Sequence, residues 1–487
     1  MLAALGKTDF GLYGVVGGMT VFISFLNLLL SSATGRFYAF AEGRLKKAKE
    51  GGRGAICLEE SRQWFNTAVL LHTLVPLVLI LIGYPLGMHA VEYWLIIPIE
   101  RLDACRWVFR FVCVSCFIGM INVPFQAMYT AKQYIAELTI FSFAQTTVNV
   151  FFVYYMVTHP GDWLAKYAMW MCFVAVLPQI IIGLRAIKIF PECRFRPSYL
   201  WNRNRIIQLS AFAFWQSFGG LGVIFRGQGI QILINKYFGP GFNASMSIAN
   251  QVSGQTQTLA SAMQGAFQPA IVTAFGAGDV VTARNLAHRA SKFALLLTLI
   301  FCIPLSIEIK EVMRLWLVTP PPYSAGLCLC MLVFFVVDKA SIGQCLACNA
   351  TGKIAAYQAI GGGLLIMCLP IAWILVASGF GVYSIGLAII ITGLGNTISR
   401  VCFSRKLVGM SIRKWMVETI LPTAISTLCG LSAGYLVTRV MKPTLLRVCV
   451  TIGVVEVVFL TIAWLVALRG DERSFAIKSV KKILSHQ

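Results

Sequence analysis

Charge is what this chain has least of. Asp, Glu, Lys and Arg make up 12% of its 487 residues, against about 25% in soluble domains, which excludes an ordinary soluble protein. Acid is the scarcer sign, with 19 Asp and Glu against 41 Lys and Arg. The five His are dispersed and no carboxylates cluster. A membrane-embedded glycosyl- or acyltransferase would need positioned acid–base groups, so the chain does not read as an enzyme. No stretch is long enough to hold a soluble catalytic domain. The fifteen Cys follow no framework spacing. Cys113/Cys116 and Cys345/Cys348 have CxxC spacing but lie in apolar helical runs without a partnering His, so they read as packing residues rather than zinc ligands or disulfides. The apolar start lacks a basic n-region and runs straight into the body, so no cleavable signal peptide is read.

What is present is apolar. The chain is 58% hydrophobic with a mean hydropathy of +0.76, and it reads as an all-α polytopic membrane protein. Runs long enough to cross a bilayer lie near 11–40, 63–88, 105–130, 135–158, 163–187, 206–234, 242–275, 288–310, 324–349, 354–378, 382–403, 415–438 and 444–468, thirteen in all. The net charge of +22 would point to nucleic acid in a soluble protein. Here the basic residues sit in alternate loops, such as Arg44–Arg53, Arg185–Arg205, Arg284/Arg289 and Arg405–Lys414. That is the positive-inside pattern; it predicts no nucleic-acid partner, a cytoplasmic C-terminus and an external N-terminus.

The stretch from Phe242 to Asp279 is unusually polar for its setting and carries no charge until its last residue. At about 100° per residue, Asn250, Gly254, Gln257, Ser261, Gln264 and Gln268 share one face. That stripe runs ~27 Å as a continuous helix. Uncharged donors and acceptors in a row suit a wet path for something rich in hydroxyls; interhelical hydrogen bonding is the competing use of such residues.

The chain also repeats itself. Residues 5–18 (LGKTDFGLYGVVGG) parallel 238–251 (FGPGFNASMSIANQ), a shift of 233. Further on, the run from Tyr129 parallels that from Asn349, and 157–168 parallels 376–388. Preserved order predicts a transporter-style duplication with the basic loop 188–205 as hinge. The expected division is 1–190 as an N-terminal lobe, 191–410 as a C-terminal lobe, 411–470 as two extra transmembrane helices and 471–487 as a basic cytoplasmic tail. Only MLAA precedes the first copy of the repeated loop, whereas a full helix precedes the second, so the first lobe is read as lacking its opening helix. The first-lobe mate of the polar stretch, 11–43, carries its own stripe of Thr20, Ser24, Asn27, Ser31 and Thr34.

Three segments now carry a resemblance: DFGLYGVVGGMTVFISFLNLLLSSATGRF, RGQGIQILINKYFGP and SIANQVSGQTQTLASAMQGAF. Over residues 1 to 410 the chain resembles the multidrug/oligosaccharidyl-lipid/polysaccharide exporter superfamily. Within it, the similarity is nearest to bacterial polysaccharide-biosynthesis flippases of the O-antigen and capsule repeat-unit type. The resemblance implies two pseudo-symmetric helical lobes in a MATE-like V. It implies a multi-pass protein of the bacterial inner membrane that flips undecaprenyl-diphosphate-linked oligosaccharide, alongside other polysaccharide-assembly membrane proteins. The alternative is a multidrug or cation antiporter of the same fold, which expects an acidic, aromatic cavity.

Ionisable groups at membrane depth mark candidate sites, because they are costly there. Arg226 follows Arg205 by 21 residues and could hold a diphosphate with its planar fork. Arg36 lies toward the inner end of its helix, where snorkelling competes with substrate binding. Asn27, Asn250, Gln257, Ser261, Gln264 and Gln268 complete the candidate substrate-binding set. Asp338 falls ~21 Å along its helix from Ser324. It is the candidate for Na⁺ or H⁺ coupling, with a structural pair to Lys339 or Arg226 as the competing reading. No other cofactor or metal is expected.

Overall fold

The computed structural model describes residues 21–474 except 51–53, 96, 160, 318–319 and 471, and before them residues 5, 9, 12, 13, 16 and 17. Among the described residues there are helices and no strand. Without water to take up backbone polar groups, a membrane-embedded chain satisfies them within each helix. The helices are α1 (Val21–Glu50), α2 (Gly54–His89), α3 (Ile99–Ala131), α4 (Ile135–Thr158), α5 (Leu164–Ile189) and α6 (Arg203–Phe238). They continue with α7 (Pro240–Thr256), α8 (Thr258–Gly276), α9 (Val280–Leu317), α10 (Ser324–Ala340), α11 (Ile342–Thr351), α12 (Ala355–Ala377) and α13 (Tyr383–Val408). The last two are α14 (Ile412–Val440) and α15 (Leu445–Ala467).

Ten described helices are long and apolar enough to cross a membrane, and eleven if α10 and α11, bent by 46° at their junction, form one span. Thirteen were expected. Of the two expected segments outside this set, 11–40 falls partly on residues that are not described, and the α7–α8 stretch is broken and rich in Ser, Thr, Gln and Gly. The stretch 242–275 is not one helix: it breaks at Gln257, which caps α7. The opening-helix expectation falls on residues 1–20, most of which lie outside the described residues.

The chain divides into two compact units, residues 1–217 with 272–279, and residues 218–271 with 280–487. By its contacts the division falls inside α6, between residues 217 and 218, and the loop 188–205 lies within the first unit. It is tied to the first unit by directed bonds. Arg62 Nε donates to the Pro191 carbonyl at 3.0 Å, Asn66 Oδ1 accepts from the Arg196 amide at 2.8 Å, and Arg205 donates to the Glu60 carbonyl at 3.3 Å. Lys132, just past α3, meets Glu192 at 2.7 Å and Glu42 at 2.6 Å.

Each unit packs by the same scheme. In the first, α3 lies against α1, α2 and α5; in the second, α10 lies against α7, α9 and α13. These are the pairs the internal repeat matches. The matched ends of α3 and α11 also both leave through a left-handed residue, Gln133 at φ 66° and Gly352 at φ 75°. The first core gathers Val91, Cys105, Val108, Phe109, Leu164 and Ala168. The second gathers Ile234, Met246, Cys328, Leu332, Ile385 and Ile389.

The extra helices α14 and α15 belong to the second unit. Val455, Phe459 and Ala463 of α15 pack with Leu295, Leu299 and Ile303 of α9. Glu308 of α9, 1% exposed, accepts from Arg447 at 2.7 Å and from Thr451 at 2.8 Å. Nothing in the repeat pattern pointed to this buried pair.

Candidate functional site

The charge that matters most in the second unit gathers where α10 stops. A helix that ends inside a bundle leaves carbonyls without amide partners, and the bend at Ser341 does this at membrane depth. Helix α13 supplies the missing donors from one face. Thr397 Oγ1 donates to the Val337 carbonyl at 3.0 Å, and Arg400 Nη1 donates to the Asp338 carbonyl at 3.1 Å. Ser341 Oγ joins them, 3.2 Å from Thr397 Oγ1. A cation at a helix C-terminus also meets the negative end of the helix dipole. The break is thus stitched by residues one turn apart on α13.

Arg400 does a second job with the same nitrogen. Its Nη1 lies 2.8 Å from Asp338 Oδ1, while Lys339 Nζ lies 3.2 Å from Oδ2. Asp338 is therefore a carboxylate clasped by two cations. Of the pairings expected for it, Lys339 is present and Arg226 is not; Arg400 holds that place. Arg400 was missed because its apolar run, 382–403, was taken to end in the basic loop beginning at Arg405. Its distance from Tyr383 along one continuous helix was the signal available.

Arg226 reaches the same neighbourhood from α6. Its guanidinium carbon sits 4.3 Å over the Phe334 ring, and Phe334 lies one turn before Asp338 on α10, on the same face. Among the described residues Arg226 makes no ion pair or hydrogen bond. Stacking on a ring face attracts a cation without consuming its donors, so the five N–H groups remain for another acceptor.

The polar stripe is placed as follows. Asn250, Gln257, Gln264 and Gln268 are half-buried and Gly254 and Ser261 are exposed, and none of these side chains hydrogen-bonds to another helix among the described residues. Hydroxyls off that face are engaged: Thr256 donates to the Ser253 carbonyl of its own helix at 2.7 Å, and Ser245 to the distant Pro322 carbonyl at 2.7 Å. The break at Gln257 turns the single stripe into two shorter ones.

The first unit offers a different arrangement. Arg36, 8% exposed, lies under three rings, with its guanidinium carbon 4.6 Å from the Phe37 centroid, 5.2 Å from Phe40 and 5.6 Å from Phe212. It is buried among aromatics rather than extended to an interface. On the same helix Asn27 is half-buried with an unpartnered Oδ1, and Thr34 is buried with an unpartnered hydroxyl. Thr20 lies outside the described residues, and so does the side chain of Ser24.

No protein-family profile matches the chain, and no curated protein matches it. Solved structures do. A MOP superfamily transporter from Pyrococcus furiosus, for which reverse polarity of the binding pocket suggests a different function, is 13% identical with a TM-score of 0.66, covering 84% of this chain and 94% of its own. A multidrug resistance MATE family transporter in an outward-facing conformation is 15% identical with a TM-score of 0.65, covering 84% of this chain and 90% of its own. A MATE in complex with MaL6 is 14% identical with a TM-score of 0.65, covering 83% of this chain and 91% of its own. The chain has the all-helical fold of MATE and MOP transporters.

Proposed function

We propose that this chain is a membrane transporter, not an enzyme, that moves an anionic, hydroxyl-rich amphiphile by alternating access. The substrate class we infer is an undecaprenyl-diphosphate-linked oligosaccharide, flipped across the bacterial inner membrane. One observation carries the reading: around the α10 break Lys339 and Arg400 clasp a single carboxylate, Asp338, while a third cation, Arg226, stacks on Phe334 one turn away. Two of those cations are fixed by Asp338. Arg226 is the one with donors in hand, and a diphosphate offers the acceptors a planar fork can take in pairs. An isolated charge at mid-membrane costs at least about 2.5 kcal/mol, so a charged headgroup in transit needs such a partner. The open carboxamides of Asn250, Gln257, Gln264 and Gln268 supply neutral hydrogen bonds for sugars.

Asp338 fits a role in holding the cations better than one in binding Na⁺ or H⁺, since an incoming ion would have to displace Arg400 or Lys339. The second reading, a multidrug or cation antiporter, draws on the multidrug resistance MATE transporter that shares the fold. A surplus of cations around the α10 break is the wrong polarity for cationic drugs.

The test is complementation of a strain lacking its repeat-unit flippase, scored by surface glycan, with drug susceptibility measured in parallel. The proposal expects restored glycan, lost on Arg226→Ala and partly recovered by Arg226→Lys, with membrane protein levels unchanged. Drug resistance conferred without glycan would move the chain to the second reading.

A further inference from the structure

A second cationic cluster sits far along the sequence from the α10 break, where the start of α9, the start of α14 and the segment after α15 converge. Arg289, Lys292, Lys414 and Arg469 line one pocket with the carboxylates of Glu418 and Glu472. The loop charges put this end of the helices on the cytoplasmic side, at headgroup level rather than mid-membrane. None of these residues takes part in the repeat or in the transport reading.

The two carboxylates are already engaged. Glu472, 6% exposed, receives Lys292 Nζ at 2.9 Å and the Arg469 backbone amide at 2.9 Å, and Arg289 lies 3.7 Å from it. Glu418 is paired with the Arg469 guanidinium. Lys414 meets no carboxylate among the described residues: its ammonium donates to the neutral Asn285 Oδ1 at 2.9 Å. Among the described lining groups cations therefore exceed anions. His288 adds an independent pointer. It lines the same pocket, is 5% exposed, and its Nδ1 has no hydrogen-bond partner. An orphaned ring nitrogen in a cation-rich pocket is what a missing acceptor or donor leaves behind.

We infer that this pocket binds a phosphate-type anion, carried by the headgroup of an anionic phospholipid or present as free phosphate. A phosphate accepts several charge-assisted bonds at once, which suits a guanidinium and an ammonium facing it together. Basic pockets between helices on the cytoplasmic side are the usual seats of such headgroups. Binding there joins α9, α14 and the segment after α15, so the ligand stabilises the second unit. The inference stands on this pocket alone and is independent of the transported substrate.

The test uses the purified full-length protein in detergent and follows its thermal unfolding midpoint during titration. One arm adds phosphatidic acid or cardiolipin against phosphatidylcholine; the other adds inorganic phosphate against chloride at equal ionic strength. The expected result is a rise with the anionic lipids, with the apparent affinity falling about fivefold for each basic residue removed, in Lys414→Gln and further in Arg289→Gln/Lys414→Gln. A rise with inorganic phosphate as well assigns the site to the free anion; a rise with lipid alone assigns it to the headgroup. Lys414→Gln keeps the test alive if the double variant does not fold, because Lys414 ties only to Asn285. An unshifted wild type in both arms, or a shift equal in wild type and Lys414→Gln, overturns the proposal and leaves a self-contained ion-pair network.

Discussion

Arg36 in the first unit is buried, at 8% exposure, and Arg400 in the second is half-buried, its side chain 12% exposed, and their surroundings differ. Arg36 lies among Phe37, Phe40 and Phe212. Arg400 is committed to the carboxylate and carbonyl of Asp338 and to Ser341. A ring face attracts a cation weakly and without direction, by about 0.5–2 kcal/mol. A buried carboxylate fixes its cation in one geometry, and removing either partner strands the other at a cost of about 3–5 kcal/mol. The contrast separates a cation fixed by a carboxylate from cations seated on ring faces. Arg226, stacked on Phe334, shares the ring-face seat with Arg36.

The largest expected effect is on the committed side. Asp338→Ala leaves Arg400 and Lys339 without their shared carboxylate and should cost about 3–5 kcal/mol, seen as a fall in the unfolding midpoint and in monodisperse protein after detergent extraction. Asp338→Asn with Arg400→Gln should recover the part due to Arg400, since a neutral pair can still bond the α10 carbonyl, while Lys339 stays without its carboxylate. If the single variant unfolds no earlier than wild type, Asp338 is not structural and the coupling role returns.

Lys132 gives the same logic outside the spans. Burial alone would lower its pKa, but Glu192 and Glu42 hold it above the ordinary 10.5. The folded-state value is the higher one, so this contribution is complete below the unfolded pKa and is lost as pH rises through the folded one. Lys132→Met should therefore lower the midpoint at pH 8, and its deficit against wild type should shrink above pH ~10.5. A deficit independent of pH would mean that Lys132 acts only by packing.

On the aromatic side the effect should be smaller. Arg226→Met, which keeps the length of the stem, should cost no more than about 2 kcal/mol in stability while reducing transport. A loss as large as that of Asp338→Ala would erase the distinction between the two environments.

What the sequence revealed tracks these two environments. Apolar runs predicted most of the helices, because that signal is written in local composition. Arg226 was legible as an arginine deep in an apolar run. Arg400 was not, since its meaning depends on the bend at Ser341, which no Pro announces and for which Gly343 is a weak local sign. The pair Glu308–Arg447 is 139 residues apart and outside the repeat, so only the fold brings it together. The anchoring of the loop 188–205 has the same origin: a basic loop looks solvated until Asn66 and Arg62 are seen to bind its backbone.

The smallest stability effect, and the one that most directly tests the lumen argument, concerns the carboxamides of α8. Gln264 and Gln268 are half-buried and bond to no other helix among the described residues. Gln264→Leu with Gln268→Leu removes no interhelical bond and makes α8 more apolar, so the unfolding midpoint should stay within about 0.5 kcal/mol of wild type or rise slightly. Transport should still fall, because a sugar hydroxyl facing leucine loses a partner it cannot replace from lipid. Gln257→Leu is the instructive companion. It sits at the break between α7 and α8, where a change of side chain acts on the backbone geometry as well as on the stripe. Loss of transport in the α8 pair at unchanged stability would assign the stripe to the substrate. Loss only in Gln257→Leu would assign function to the break and leave the α8 carboxamides idle.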